Sequence, residues 1–63
     1  MESDRAELSA LATSLDDISA RVTAAAERFR SSPRDDVAEG LYEVERALLG
    51  AARRLERVLR SMR

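Results

Sequence analysis

The 63-residue chain has no cysteine, no histidine, no lysine and no tryptophan, one proline, two glycines, and Phe29 and Tyr42 as its only aromatic residues. Without cysteine there is no disulfide framework, and without cysteine and histidine together the usual structural zinc sites are excluded. Long uncharged runs are also missing: in the apolar part of the second half the stretch without a charge covers only residues 47–52. No membrane span is expected from so short a run, no leader segment is read from Met1 onward, and the expected location is the cytoplasm. Acid–base or metal chemistry would fall to Asp16-Asp17, Asp35-Asp36, Glu43 and Glu45. Neighbours on a helix point in different directions, so these carboxylates do not converge. No glycine-rich phosphate loop or metal-ligand spacing is present. An enzyme is not expected, nor a cofactor or a metal.

What the chain does contain is heptad order. Phe29 pairs with Val37, Ala25 with Leu41, Val22 with Val44, Ile18 with Leu48, Leu15 with Ala51, Leu11 with Leu55 and Leu8 with Val58, all about the pivot Pro33. Both ladders step by three and four residues, the signature of a helix seam, and their mirror symmetry is that of two helices running in opposite directions. The expected fold is therefore all-α, a single domain over residues 1–63: an antiparallel, coiled-coil-like helical hairpin. The first helix is placed at about 4–30, the turn at 31–32, and the second helix at about 33–61. Asp4 and Glu7 have capping-box spacing at the start of the first helix. Ser32 suits an N-cap, Pro33 the first helical position, and Asp35 and Asp36 the positive end of the second macrodipole.

A chain below about 70–80 residues rarely supports itself on one core, so oligomerisation is the expected staple. The second helix carries a further stripe, Ala38, Tyr42, Leu49, Ala52 and Leu59, making its apolar arc wider than one neighbour needs. The first helix offers Ala12, Ser19 and Ala26 on the matching flank. These eight positions are the expected dimer interface, joining two hairpins into a four-helix bundle with a closed two-fold axis. Gly40, flanking the seam, is expected to allow close helix approach, and Gly50 to be tolerated on the outer side.

All eleven basic residues are arginine, and the net charge of −1 conceals a division along the second helix. Asp35, Asp36, Glu39, Glu43 and Glu45 precede Arg46, Arg53, Arg54, Arg57 and Arg60. That order complements the helix macrodipole. It also leaves Arg46, Arg53 and Arg60 in a line, with Arg54 and Arg57 beside them, as candidate contacts for an anion or nucleic acid. No aromatic residue interleaves with them as a base-stacking platform. The expected function is accordingly a small interaction or regulatory adaptor, a homodimeric bundle that binds another protein. The alternative is a nucleic-acid-binding regulator using the arginine stripe.

The run Asp4-Arg5-Ala6-Glu7-Leu8 and the run Leu41-Tyr42-Glu43-Val44-Glu45-Arg46-Ala47-Leu48 resemble short helical-hairpin proteins of actinobacteria, over nearly the whole chain. The resemblance implies a bacterial, cytoplasmic hairpin, with no activity or site to carry over. The Trp-x-Gly turn of the small secreted hairpins of type VII systems is missing.

Overall fold

Two long helices account for nearly all of the chain in the computed structural model, which describes residues 2–62. Helix α1 runs Glu2–Arg30 and helix α2 Asp35–Ser61. The first contains no glycine or proline, and Arg28 and Arg30 fill its last turn, where cations favour the negative end of the dipole. In the second, Asp35 and Asp36 occupy the first turn and Arg60 the last, and the Met62 amide closes the end by donating to the Leu59 carbonyl at 3.1 Å. The helix begins before Asp4, so the expected capping box does not start it. Asp4 and Glu7 are exposed side chains within the opening turns, where negative charge is still favourable.

The connection is four residues, 31–34, two more than expected. Ser32 is its fastener. The Ser32 amide and hydroxyl both donate to the Phe29 carbonyl, at 3.1 and 2.8 Å, and the same hydroxyl accepts from the Arg34 amide at 3.0 Å. Proline restricts the residue before it to extended geometry, so Ser32 and Pro33 stay outside α2 and Ser32 is not its N-cap. Arg34 holds that position with φ −102° and ψ 52° and no side-chain cap. Its guanidinium instead reaches forward to Asp36, Nε to Oδ1 at 3.2 Å and Nη2 to Oδ2 at 3.4 Å. That contact holds the Asp36 carboxyl below its ordinary range.

The helices fold back on each other antiparallel into a flat slab measuring 49 × 15 × 9 Å between Cα extremes. A compact domain of this length would have a radius of gyration of about 11 Å; here it is 14.7 Å. With helices this long and only one helix to pack on, each has a single covered stripe. That stripe is narrow and made of small residues: Ala26 is 0% exposed, Ala38 2% and Ser19 8%. Continuing it at seven-residue intervals are Ala12 on α1 and Glu45, Ala52 and Leu59 on α2, all half-buried. Small side chains let two helices approach closely, which explains why the hairpin closes along this line.

Candidate interaction surface

The contact stripe divides the slab into two unlike faces. On one side lie all fourteen residues of the mirror-paired ladders, and in the single chain none is buried. Leu11, Ile18, Val44 and Val58 are between 43 and 49% exposed. Leu8, Leu15, Val22, Ala25, Val37, Leu41, Leu48 and Leu55 are half-buried, being one step nearer the stripe, while Phe29 and Ala51 are exposed. The ladders expected to be the hairpin's inner seam are covered by it only in part: Leu15, Val22, Leu41, Leu48 and Leu55 flank the contact, and Leu11, Ile18, Val44 and Val58 stand on an open apolar face. Heptad periodicity identifies residues that share a face, and here the chain's own second helix covers the small-residue flank instead.

The eight positions expected to meet a second copy divide accordingly. Ser19, Ala26 and Ala38 are buried within one chain and have no surface left to offer. Ala12, Ala52 and Leu59 belong to the same intramolecular stripe, half-buried. Tyr42 and Leu49 stand on the opposite, polar face, Tyr42 half-buried and Leu49 42% exposed.

On the polar face the helices are tied by side chains that periodicity alone did not reveal. The Thr23 hydroxyl is within bonding reach of the Glu45 carboxylate and, at 3.0 Å, of the Ser19 carbonyl. It has one hydrogen and serves one acceptor at a time. The Tyr42 hydroxyl donates to Glu27 Oε2 at 3.2 Å. Loss of solvent around the ring, then the bond to Glu27 and the glutamate's negative charge, push the phenol above its ordinary value. Ser19 Oγ, inside the stripe, has no hydrogen-bond partner among the described residues. Glu45 was legible as part of the stripe only through the spacing Ala38, Ala52 and Leu59, since a charged residue hides a heptad line.

Arg46, Arg53 and Arg60 lie along the outer flank of the polar face and are exposed, as are Arg54 and Arg57 on the back of α2. Among the described residues the ion pairs are Asp17–Arg21 at 3.8 Å and Arg34–Asp36 at 3.2 Å, so none of these five arginines is held by one. The hollow beside Arg46 is lined by Glu39, Tyr42 and Glu43. Carboxylates at the wall of an arginine site weaken its attraction for phosphate. Gly40 is exposed, and a Cβ built on either glycine meets nothing within 4 Å. The close approach expected at Gly40 is therefore absent from the hairpin.

Among the described residues no helix is long and apolar enough to cross a membrane, and no group of three or more acidic, histidine or cysteine side chains is arranged to hold a metal. No family model, no curated protein and no solved structure matches the chain.

Proposed function

We propose that the chain is a small protein-interaction adaptor that works as a homodimer, two hairpins stacked apolar face to apolar face as a four-helix bundle whose outer faces bind another protein. The observation that supports this reading is the open face itself. Seven apolar residues of each helix share one side of the slab, eight of the fourteen half-buried and the other six exposed. Contiguous exposed apolar patches beyond a few hundred Å² mark interaction sites in water-soluble proteins. A standard interface takes about 800 Å² from each partner, and a slab 49 Å long and 15 Å wide between Cα extremes comes close to that before its side chains are counted.

The face that would meet the second copy is the ladder face, around Ile18 and Val44, rather than the eight flank positions. Stacking there removes the largest exposed side chains from water, at roughly 1.5–3 kcal/mol for each fully buried one. The polar faces then point outward on opposite sides of the bundle, carrying Tyr42, Leu49 and the Arg46, Arg53 and Arg60 line to the protein partner. Sedimentation equilibrium at micromolar concentration is the test. The native chain should sediment at twice its chain mass and Ile18→Glu at the chain mass, whereas a native monomer would refute the bundle. Mobility shift with RNA and duplex DNA at graded salt separates the adaptor from a phosphate-binding regulator, because phosphate binding weakens steeply as salt rises.

A further inference from the structure

We infer that the two copies stack end for end, the turn of one hairpin over the open end of the other, with the two-fold axis passing between Ile18 and its symmetry mate. The inference rests on the homodimer proposed above and adds its symmetry. Two arrangements bring the ladder faces together with every neighbouring pair of helices antiparallel. In one the axis runs along the hairpin, both turns lie at the same end, and α1 covers α2 of the second copy. In the other the axis crosses the hairpin, the turns lie at opposite ends, and each helix covers its own counterpart.

Relief on the open face favours the second arrangement. A depression of about 550 Å³ is formed there by Ile18, Val22, Ala25 and Leu41, with Arg21, Ala24 and Arg28 continuing it over the outer edge of α1. Ala24 and Ala25 are its short residues, and Ala25 is the one that belongs to the ladder. The most exposed large side chain on the same face is Leu11. Turning a copy end for end about Ile18 sets Leu11 over Ala25, a protruding side chain over a hollow, and does so twice by symmetry. It also carries Glu7, one helical turn from Leu11, to the neighbourhood of Arg28. With the turns together, α1 over α2 also sets long over short, Leu41 over Ala25 and Leu15 over Ala51, but it gathers two alanines into each of two layers, an uneven filling that end-for-end stacking spreads along the bundle.

Charge gives an independent reason. Asp35, Asp36, Glu39, Glu43 and Glu45 lie at the turn end of α2, and Arg53, Arg54, Arg57 and Arg60 at its open end. End-for-end stacking lays α2 along its counterpart in the opposite direction, so that Glu39 and Glu43 come to the level of the counterpart's Arg57 and Arg54 along the back of the helices, while Arg53 and Arg60 stay on the outward face. Same-end stacking gathers the acidic turns of both copies at one end. A consequence for the adaptor is that its two polar faces run in opposite directions, so that one bundle holds two partners in antiparallel orientation.

The absence of cysteine makes the test clean, since any introduced thiol is the only one. A disulfide needs Cα atoms about 4.4–6.8 Å apart. Under mild oxidation Ile18→Cys should link to itself across the axis, and a mixture of Leu11→Cys and Ala25→Cys should form the mixed disulfide. Leu49→Cys, on the opposite face, measures collisional linking. Ile18→Cys should exceed it roughly a thousandfold at micromolar protein, the advantage of a millimolar effective concentration. If Ile18→Cys links no faster than Leu49→Cys while a mixture of Ile18→Cys and Val44→Cys links rapidly, the turns lie together and the inference falls. Sedimentation of the same variants under reducing conditions separates the two levels: a monomer overturns the dimer and its symmetry together, and an unlinked dimer overturns the symmetry alone.

Discussion

The contact stripe and the open face of this hairpin are built from opposite materials. Ala26, Ala38 and Ser19 are buried and small, whereas Leu11, Ile18, Val44 and Val58 are large and left in water. Hydrophobic stabilisation scales with apolar area removed from water, so alanines covering alanines contribute little beyond fixing the distance between helices. The stripe therefore sets the geometry of the slab, and most of the free energy available for burial lies on the other side. In the proposed dimer, a hairpin organised in this way gains its stability where the open face is covered.

Charging the open face should have the largest effect. Ile18→Glu places a carboxylate at the centre of the proposed bundle, where an unpaired buried charge costs several kcal/mol. The variant should sediment as a monomer and lose most of its helical circular dichroism at micromolar concentration. Retained dimer and helix would show that the face stays in water.

Ala26→Leu tests the stripe instead. Forcing a large side chain into a closely packed line of alanines costs about 1–3 kcal/mol. Thermal melting monitored at 222 nm should register the loss. An unchanged transition would mean that the helices are not held together along Ala26 and Ala38.

Ser19→Ala should act in the other direction. It deletes a buried hydroxyl with no partner among the described residues and substitutes a better helix former, so stability should rise by about 1 kcal/mol. Denaturant midpoints at unchanged slope would measure the gain.

Changes on the polar face sharpen the contrast by their small size. Leu49→Glu, and the replacement of Arg46, Arg53 and Arg60 by glutamine, should each shift stability by roughly 0–1 kcal/mol, as exposed positions do. Both sets of variants should keep the native sedimentation mass. Tyr42 is the only tyrosine, so its absorbance near 295 nm reports a single group. Its raised pKa means that the protonated phenol is favoured by the fold. The associated stability is complete below the unfolded phenol's pKa and is lost as pH rises through the folded value. Glu27→Gln should bring the midpoint partway down, since burial of the ring is the larger cause and remains.

The helices and the break between them were legible in the residues. Three-and-four spacing demands a helix, and Pro33 between two serines and two aspartates demands an interruption. Which face the chain would cover for itself was not legible in the same pattern. Leu8 to Phe29 and Val37 to Val58 look like a coiled-coil seam because they are apolar at heptad spacing, yet periodicity names a face and says nothing about its occupant. The competing signal lay in the small residues. Ala12, Ser19 and Ala26 mirror Ala38, Glu45 and Ala52, and small residues facing each other permit the closest approach of two helices. Glu45 obscured that line, and its link to Thr23 emerges only when both helices are in place. The two-residue displacement at the start of α2 has a local origin: the Ser32 hydroxyl serves the Arg34 amide, which leaves Pro33 outside the helix.

Completion of the open face by a second copy is tested by the melting of the native chain across a hundredfold range of concentration. Coupled folding and association make the melting temperature rise with protein concentration by mass action. That dependence is the predicted result, and it should vanish in Ile18→Glu. A single melting temperature at every dilution, with full helix content and the mass of one chain, would mean that no second copy covers the face.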